Sequence, residues 1–486
     1  MNVMISPISD CATGTIEAYV PTVEKPWNKQ RAMHLLRRMG FGGNLDMVTS
    51  VLSESPSAVV DAIVEEAMNL PLLEPPVWAD WGAEDYTDAD DELVDHFLSW
   101  GFEWVKAMKA HGFREKFALF WHNHFVTQWQ TYFCSKYLYQ YHKLLQTHAL
   151  GNFRTFTKEM GKTPAMLVFL NGNVNTQFNP NENYARELYE LFTLGEGNNY
   201  TQTDITETAR ALTGWWVDNA ACADPTFMPT WFDNGSKTIF GQTGNFDFDG
   251  VHDLLFEQRA DEIALHICTK IYKHFVNENV SEDIVAALAI TFIENDFELA
   301  PVFKQLFNSE HFFDEANIGV HVKSPLDFFI TFIREGDFPI NDEILTLMGY
   351  AASQLGQTLF EPVDVAGWQG HYSWITNSTL TTRWQMLTDV VGYLYETAPD
   401  SLRDFAKLLT NDSNDPAFIT KTIVDHFTGR GLQTQADYQK ATIVFKYEVP
   451  QNYFDDGIWN LDWEYSDAMV ALLLFHIVKL PEHQLS

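Results

Sequence analysis

From Asn28 to Leu480 apolar residues return at helical spacing in one segment after another, and only two long stretches break the pattern. Ala32, Leu35, Leu36 and Met39 form the first such stripe, with Gly40 placed to stop it. Further helices are predicted over 57–69, 91–110, 114–126, 136–149, 180–194, 204–213, 259–276, 281–294, 298–308, 323–334, 341–355, 381–396 and 462–478. Each apolar stripe has to be buried against another, so the chain should fold as a mainly α protein. Residues 214–250 carry Pro225, Pro229, Gly235, Gly241, Gly244 and Gly250. Within them, TWFDNGSKTIFG reads as a small hairpin turning at Asn234-Gly235. Residues 356–378 are the second irregular stretch. Residues 1–26, with Pro7, Pro21 and Pro26, read as an N-terminal arm. Residues 27–486 read as one large helical domain with loop and hairpin insertions.

Composition narrows the partners. The chain has 486 residues, 31 basic against 66 acidic side chains and a formal charge of −35, yet 14% of it is aromatic. Aromatic content at that level suits a large buried core rather than a disordered acidic chain. The charge disfavours nucleic acid and anionic membrane, both polyanions. No segment has the roughly 18 apolar residues of a membrane span, and Ala468 to Leu480 reads as a buried helix. The N-terminus lacks a basic region followed by an apolar one, so a cytoplasmic location is expected and Cys11 does not look like a lipoprotein cysteine. Cys11, Cys134, Cys222 and Cys268 are far apart and read as core thiols of a reduced compartment, although two disulfides remain arithmetically possible.

Four segments carry candidate chemistry. In NPNENYARELYELFTLG (179–195), Asn179, Pro180 and Glu182 resemble a helix start, and Gly195 a stop. On a regular helix Glu182, Asn183, Arg186, Glu187 and Glu190 share an arc of about 140°, opposite Tyr184, Leu188, Tyr189, Leu191 and Phe192. Glu187 and Glu190 could reach one metal or one substrate, or form a solvated face of Glu–Arg pairs. In REKFALFWHNHFVTQW (114–129), His124 falls on the stripe of Phe117, Phe120 and Trp121, while His122 points nearly the other way. The pair suits Zn²⁺, Mn²⁺ or Fe²⁺ if the helix bends or ends there; the alternative is a hydrogen-bonded core histidine. In YTQTDITETARALTGWW (200–216), Asp204 and Glu207 have capping-box spacing, and Arg210 is either a partner of Glu207 or an anion clamp. In 359–384, Trp368, His371, Tyr372, Trp374 and Asn377 crowd a glycine-punctuated loop, with Arg383 on the next helix. These aromatics suit stacking on sugars, or capping of the core. Nucleotide loops and hydrolase elbows are not found.

These segments, in this order, resemble the bacterial domain-of-unknown-function 1800 family. The stretches that carry the resemblance are HLLRRMGFGG (34–43), REKFALFWHNHF (114–125), NENYARELYELFTLG (181–195), YTQTDITETARALTGW (200–215), DNGSKTIFG (233–241), VKSPLDF (322–328) and EPVDVAGWQG (361–370), with Trp374 and Arg383. The resemblance implies a mostly helical body and a sulfatase-like companion protein, and no established reaction. Phe232 stands where the family usually has His, and many relatives look exported.

Three functions are open on this reading. One is metal-assisted hydrolysis, with His122 and His124 holding a divalent metal, Glu187 and Glu190 as catalytic carboxylates, and Arg186 or Arg210 holding an anionic group. The second is glycoside cleavage by paired carboxylates, with Trp368, Trp374, Asn377 and Arg383 binding substrate. The third is a non-catalytic assembly or binding protein whose polar segments are buried networks.

Overall fold

Helix starts in this chain are marked by a capping side chain followed by proline. The computed structural model describes residues 13–486; Cys11 and its neighbours lie outside the described residues. Ser55-Pro56, Thr163-Pro164, Ser324-Pro325 and Asp415-Pro416 each place a hydroxyl or carboxylate on a free N–H of the first turn, with proline at the first helical position. Proline costs nothing there, because that N–H has no partner within the helix. Among the described residues, 61% are helical and 4% lie in strands, so the fold is mainly α.

The predicted helices are present with shifts of a few residues at their ends, including the buried C-terminal helix Ser466–Ile477. Helices Leu45–Leu52, Phe153–Gly161, Phe248–Gln258, Pro399–Thr410, Pro416–Phe427 and Gln435–Lys446 were not anticipated. Their signals are local rather than periodic: Asn44, Asn152, Asp247, Asp415 and Thr434 cap through their side chains, and Pro399 opens its helix.

Four local expectations are corrected. The 180–194 segment is not one regular helix. It is α-helical over Asn183–Glu187 and π-helical over Leu188–Thr193, and Glu182 precedes the first turn without capping it. The capping box of the next helix joins Thr201 and Asp204, not Asp204 and Glu207. The hairpin pairs Lys237–Ile239 with Gln242–Gly244. It turns at Phe240-Gly241, where both φ angles are positive, so Asn234-Gly235 lies before it. Finally, Cys134 and Cys222 form a disulfide, so two of the four cysteines are not free thiols, while Cys268 is free and buried.

The described part of the arm is stitched to the body. The Thr13 and Gly14 N–H groups donate to Asp314 at 3.0 Å each, and the Tyr19 N–H to the Asn308 carbonyl at 2.7 Å. The helix Gly112–His124 is buried at every residue except Asn123, which is half-buried. The end of the helix Lys29–Met39 meets it at Phe113, the start of the helix Pro325–Gly336 at Lys116, the helix Ala260–Phe275 at Phe117 and Phe120, and the loop 355–376 at His122 and Asn123. Residues 321–323 pair with 484–486 as a short antiparallel bridge. No helix of the described residues is long and apolar enough to cross a membrane.

Candidate functional site

The HNH stretch divides its work among three side chains. His122 is fully buried. Its Nε2 accepts the Phe360 N–H at 2.8 Å, and its ring stacks on Trp368 with centroids 5.2 Å apart. Accepting that bond commits the Nε2 lone pair and leaves the proton on Nδ1, so His122 has no free lone pair for a metal. Asn123 receives the Trp368 N–H at 2.6 Å and donates to the Trp368 carbonyl at 3.0 Å. Both residues therefore pin the loop. Gly367 is required by the same contact: its φ is +79°, and a Cβ there would lie 2.4 Å from Asn123 Oδ1.

His124 differs. Its Nε2 donates to the Phe192 carbonyl at 3.1 Å, and its Nδ1 is buried without a protein partner. The π-helix explains the contact. Carbonyls at a helix end have no partner within the helix, and those of Leu191 and Phe192 are taken up from outside. Leu191 accepts from His266 at 3.3 Å and from Lys270 at 3.4 Å. The NENYARELYELFTLG segment thus reaches the site through its backbone and not through its glutamates.

Beside His124 lies a cavity of about 310 Å³ under the loop. Arg38, Lys116, Lys270 and Lys273 line it, against only Asp327 and Glu278. His274, His321 and His371 add imidazoles, and Trp368 and Trp374 an apolar wall. His321 and His371 stack 5.5 Å apart, and the two tryptophan rings lie 6.4 Å apart. Lys116 bonds Asp327, the one carboxylate that a lining cation holds directly. Burial alone would raise the Asp327 carboxyl; Lys116, Ser324 and Arg38 together outweigh it and hold the group below the usual carboxylate range. Arg38 spends its donors on neutral oxygens: the Phe275 carbonyl at 2.9 Å, the His274 carbonyl at 2.7 Å and the Ser486 hydroxyl at 3.1 Å. These carbonyls end the helix Ala260–Phe275, where a cation is favoured. Burial pulls Arg38 down to about 10 and Lys270 down to about 8. Burial, and then the neighbouring cations, push His124, His274 and His321 well below the ordinary imidazole value, so all three are neutral near pH 7.

The other expected site residues lie elsewhere. Glu187, Glu190, Arg186 and Arg210 do not line the cavity. Arg186 pairs with Glu182 at 3.0 Å and Glu190 at 3.3 Å. Glu187 is half-buried; burial, followed by the Glu190 charge, pushes its carboxyl up. Arg210 is saturated by Glu207 at 2.9 Å and Asp233 at 2.7 Å, which leaves no fork for a ligand. Phe232, at the position where the resemblance implies His, lies under the Lys237 ammonium at 4.6 Å. Trp368 and Trp374 do line the cavity; Asn377 is exposed at a helix start, and Arg383 is fully buried away from it. Among the described residues no three His, Cys, Asp or Glu side chains are grouped so as to hold a metal.

Sequence reasoning missed Arg38, Lys116, Lys270, Lys273, His274, His321 and Asp327. A signal was present for part of this set. Lys270, Lys273 and His274 share one face of a helix at spacings of three and four, an unusual basic face in so acidic a chain.

Fold and site together define a large helical protein with a cation-lined cavity roofed by an aromatic loop. The chain belongs to the family described as Protein of unknown function (DUF1800), whose model matches residues 34–485. No curated protein and no solved structure matches the chain.

Proposed function

We propose that the protein binds a small anionic ligand, a carboxylate or an oxyanion ester, in the cavity beneath the loop 355–376. The observation that carries this is the excess of lining cations over carboxylates in a chain of charge −35. Holding cations in a partly desolvated pocket is unfavourable unless an anion joins them. Trp368 and Trp374, tilted 51° to one another, supply apolar ring faces, which suits a ring on the ligand, as the sugar-binding reading expected. His124, neutral and with a free Nδ1 lone pair, is the residue best placed to accept a proton in a hydrolytic reaction on that ligand. The surrounding cations would repel a divalent metal, so the metal-assisted version is disfavoured on charge. Glu190, Arg186 and Arg210 are better accounted for as members of local ion pairs, Arg186 with Glu182 and Glu190 and Arg210 with Glu207 and Asp233, whereas Glu187 has no such partner.

The Cys134–Cys222 disulfide favours an oxidising compartment over the cytoplasm. A sulfatase-like companion remains the partner that the resemblance implies, and it would handle the oxyanion chemistry this cavity suits. The test is calorimetric titration of the whole protein with phosphate, sulfate and glucuronate, alongside the Lys270→Met variant. Saturable binding of at least one probe, weakened tenfold or more in the variant, supports the reading. Heats that stay at the dilution level for all three would overturn it.

A further inference from the structure

Buried cations in this fold usually have an oxygen anion or a full set of carbonyls. Arg37 holds Glu335 through both carboxylate oxygens at 2.6 and 2.9 Å, and Arg114 holds Glu115. Lys116 holds Asp327, and Arg38 bonds three neutral oxygens. Arg383 and Lys323 are the exceptions. Arg383 is 0% exposed and gives one bond, from Nη2 to the Lys323 carbonyl at 3.0 Å; its Nε and Nη1 have no partner. Lys323 is 1% exposed, and its Nζ bonds the His483 carbonyl at 2.9 Å, one acceptor for three donors. His483, also 0% exposed, has both ring nitrogens unpartnered. The nearby carboxylates are already engaged, Asp327 by Lys116 and Ser324, Glu335 by Arg37.

These side chains form one cluster. Phe328 carries the Arg383 guanidinium over its ring at 5.1 Å and meets the His483 ring at 5.2 Å. Burial pulls Lys323 down to about 7, so the lasting positive charge is that of Arg383, which is sealed from solvent with N–H donors to spare and no carboxylate partner. We propose that Arg383, Lys323 and the N–H of His483 hold a small buried anion of the halide class, with chloride as the physiological occupant. A halide accepts several N–H donors at once and takes up less space than a polyatomic oxyanion. The site stands apart from the cavity above and does not depend on that reading. Val322 and Ser324, either side of Lys323, line the cavity, so the anion would set the charge behind its wall.

Crystals of the whole protein grown in bromide provide the direct test. An anomalous peak within hydrogen-bonding reach of Arg383 Nε and Nη1 is expected; a map in which only water-like density without anomalous signal sits there overturns the proposal. Thermal melting at fixed ionic strength gives a second readout. The midpoint should rise by roughly 2–3 °C from gluconate to chloride if the halide is near a hundredfold over its Kd. The rise should persist in Lys270→Met, whose side chain lies at the cavity and the Leu191 carbonyl and makes no contact with Arg383, and vanish in Arg383→Met. A rise that survives in Arg383→Met, or is absent from the wild type, counts against the site. If Arg383→Met does not fold, the bromide map decides alone.

Discussion

Replacing Asn123 by alanine separates holding the loop from holding the fold. The side chain makes two hydrogen bonds, at 2.6 and 3.0 Å, to the N–H and carbonyl of Trp368, whose residue is 7% exposed. A typical net bond contributes about 1 kcal/mol, and an orphaned buried group costs about 1–3 kcal/mol. Here the 310 Å³ cavity lies alongside and can admit water to the freed groups, so the lower bound applies and the loss should be about 2 kcal/mol. For 486 residues the entropy of unfolding is about 1 kcal/mol per degree, so the melting midpoint should fall by only about 2 °C. The effect on the ligand should be larger, because Ala366, Trp368, Gln369 and Gly370, at and around this anchor, all form cavity wall. Calorimetric titration should show affinity for the best probe anion reduced by tenfold or more. A variant that melts within about 2 °C of wild type and binds the anion unchanged refutes the assignment of the loop to the site.

Other outcomes follow from the same geometry. Burial holds Lys270 near 8, below its ordinary value of 10.5. The folded state therefore binds fewer protons than the unfolded chain between about pH 8 and 10.5, so the contribution of this group to stability should rise with pH across that window. Anion affinity should fall over the same window as the ammonium is lost; titrations at pH 7 and 9.5 check both signs, and affinity that climbs with pH contradicts them. Lys270→Met should melt higher than wild type at pH 7 while binding anions more weakly, since a desolvated charge is removed. Arg210→Gln leaves Glu207 and Asp233 without their shared partner and should lower the melting midpoint without altering anion affinity; a lost affinity in a folded variant would return Arg210 to the site. Reducing the Cys134–Cys222 bond opens a closure spanning 88 residues, worth about 5 kcal/mol by chain entropy, so reductant should lower the midpoint by about 5 °C.

The sequence by itself determined the fold class, most helices and the segments that matter. Helix periodicity and cap-proline pairs act within one turn, so they can be read from neighbours in the chain. It also marked Trp368, Trp374 and His124, because an aromatic loop and a histidine on an aromatic stripe are visible locally. It could not show that Glu187 and Glu190 sit apart from His124, since a π-helical turn replaces the regular wheel after Glu187. Nor could it show which polar side chain of the HNH stretch holds backbone and which faces the cavity; His122 pins a loop more than 230 residues away, Asn123 pins it and also lines the cavity, and His124 lines the cavity. Only the tertiary structure brought Arg38, Lys116, Lys270 and Asp327 to one place from four separate helices. A net charge of −35 sums over the whole surface, whereas binding responds to the charges within a few ångströms, and there the sign reverses.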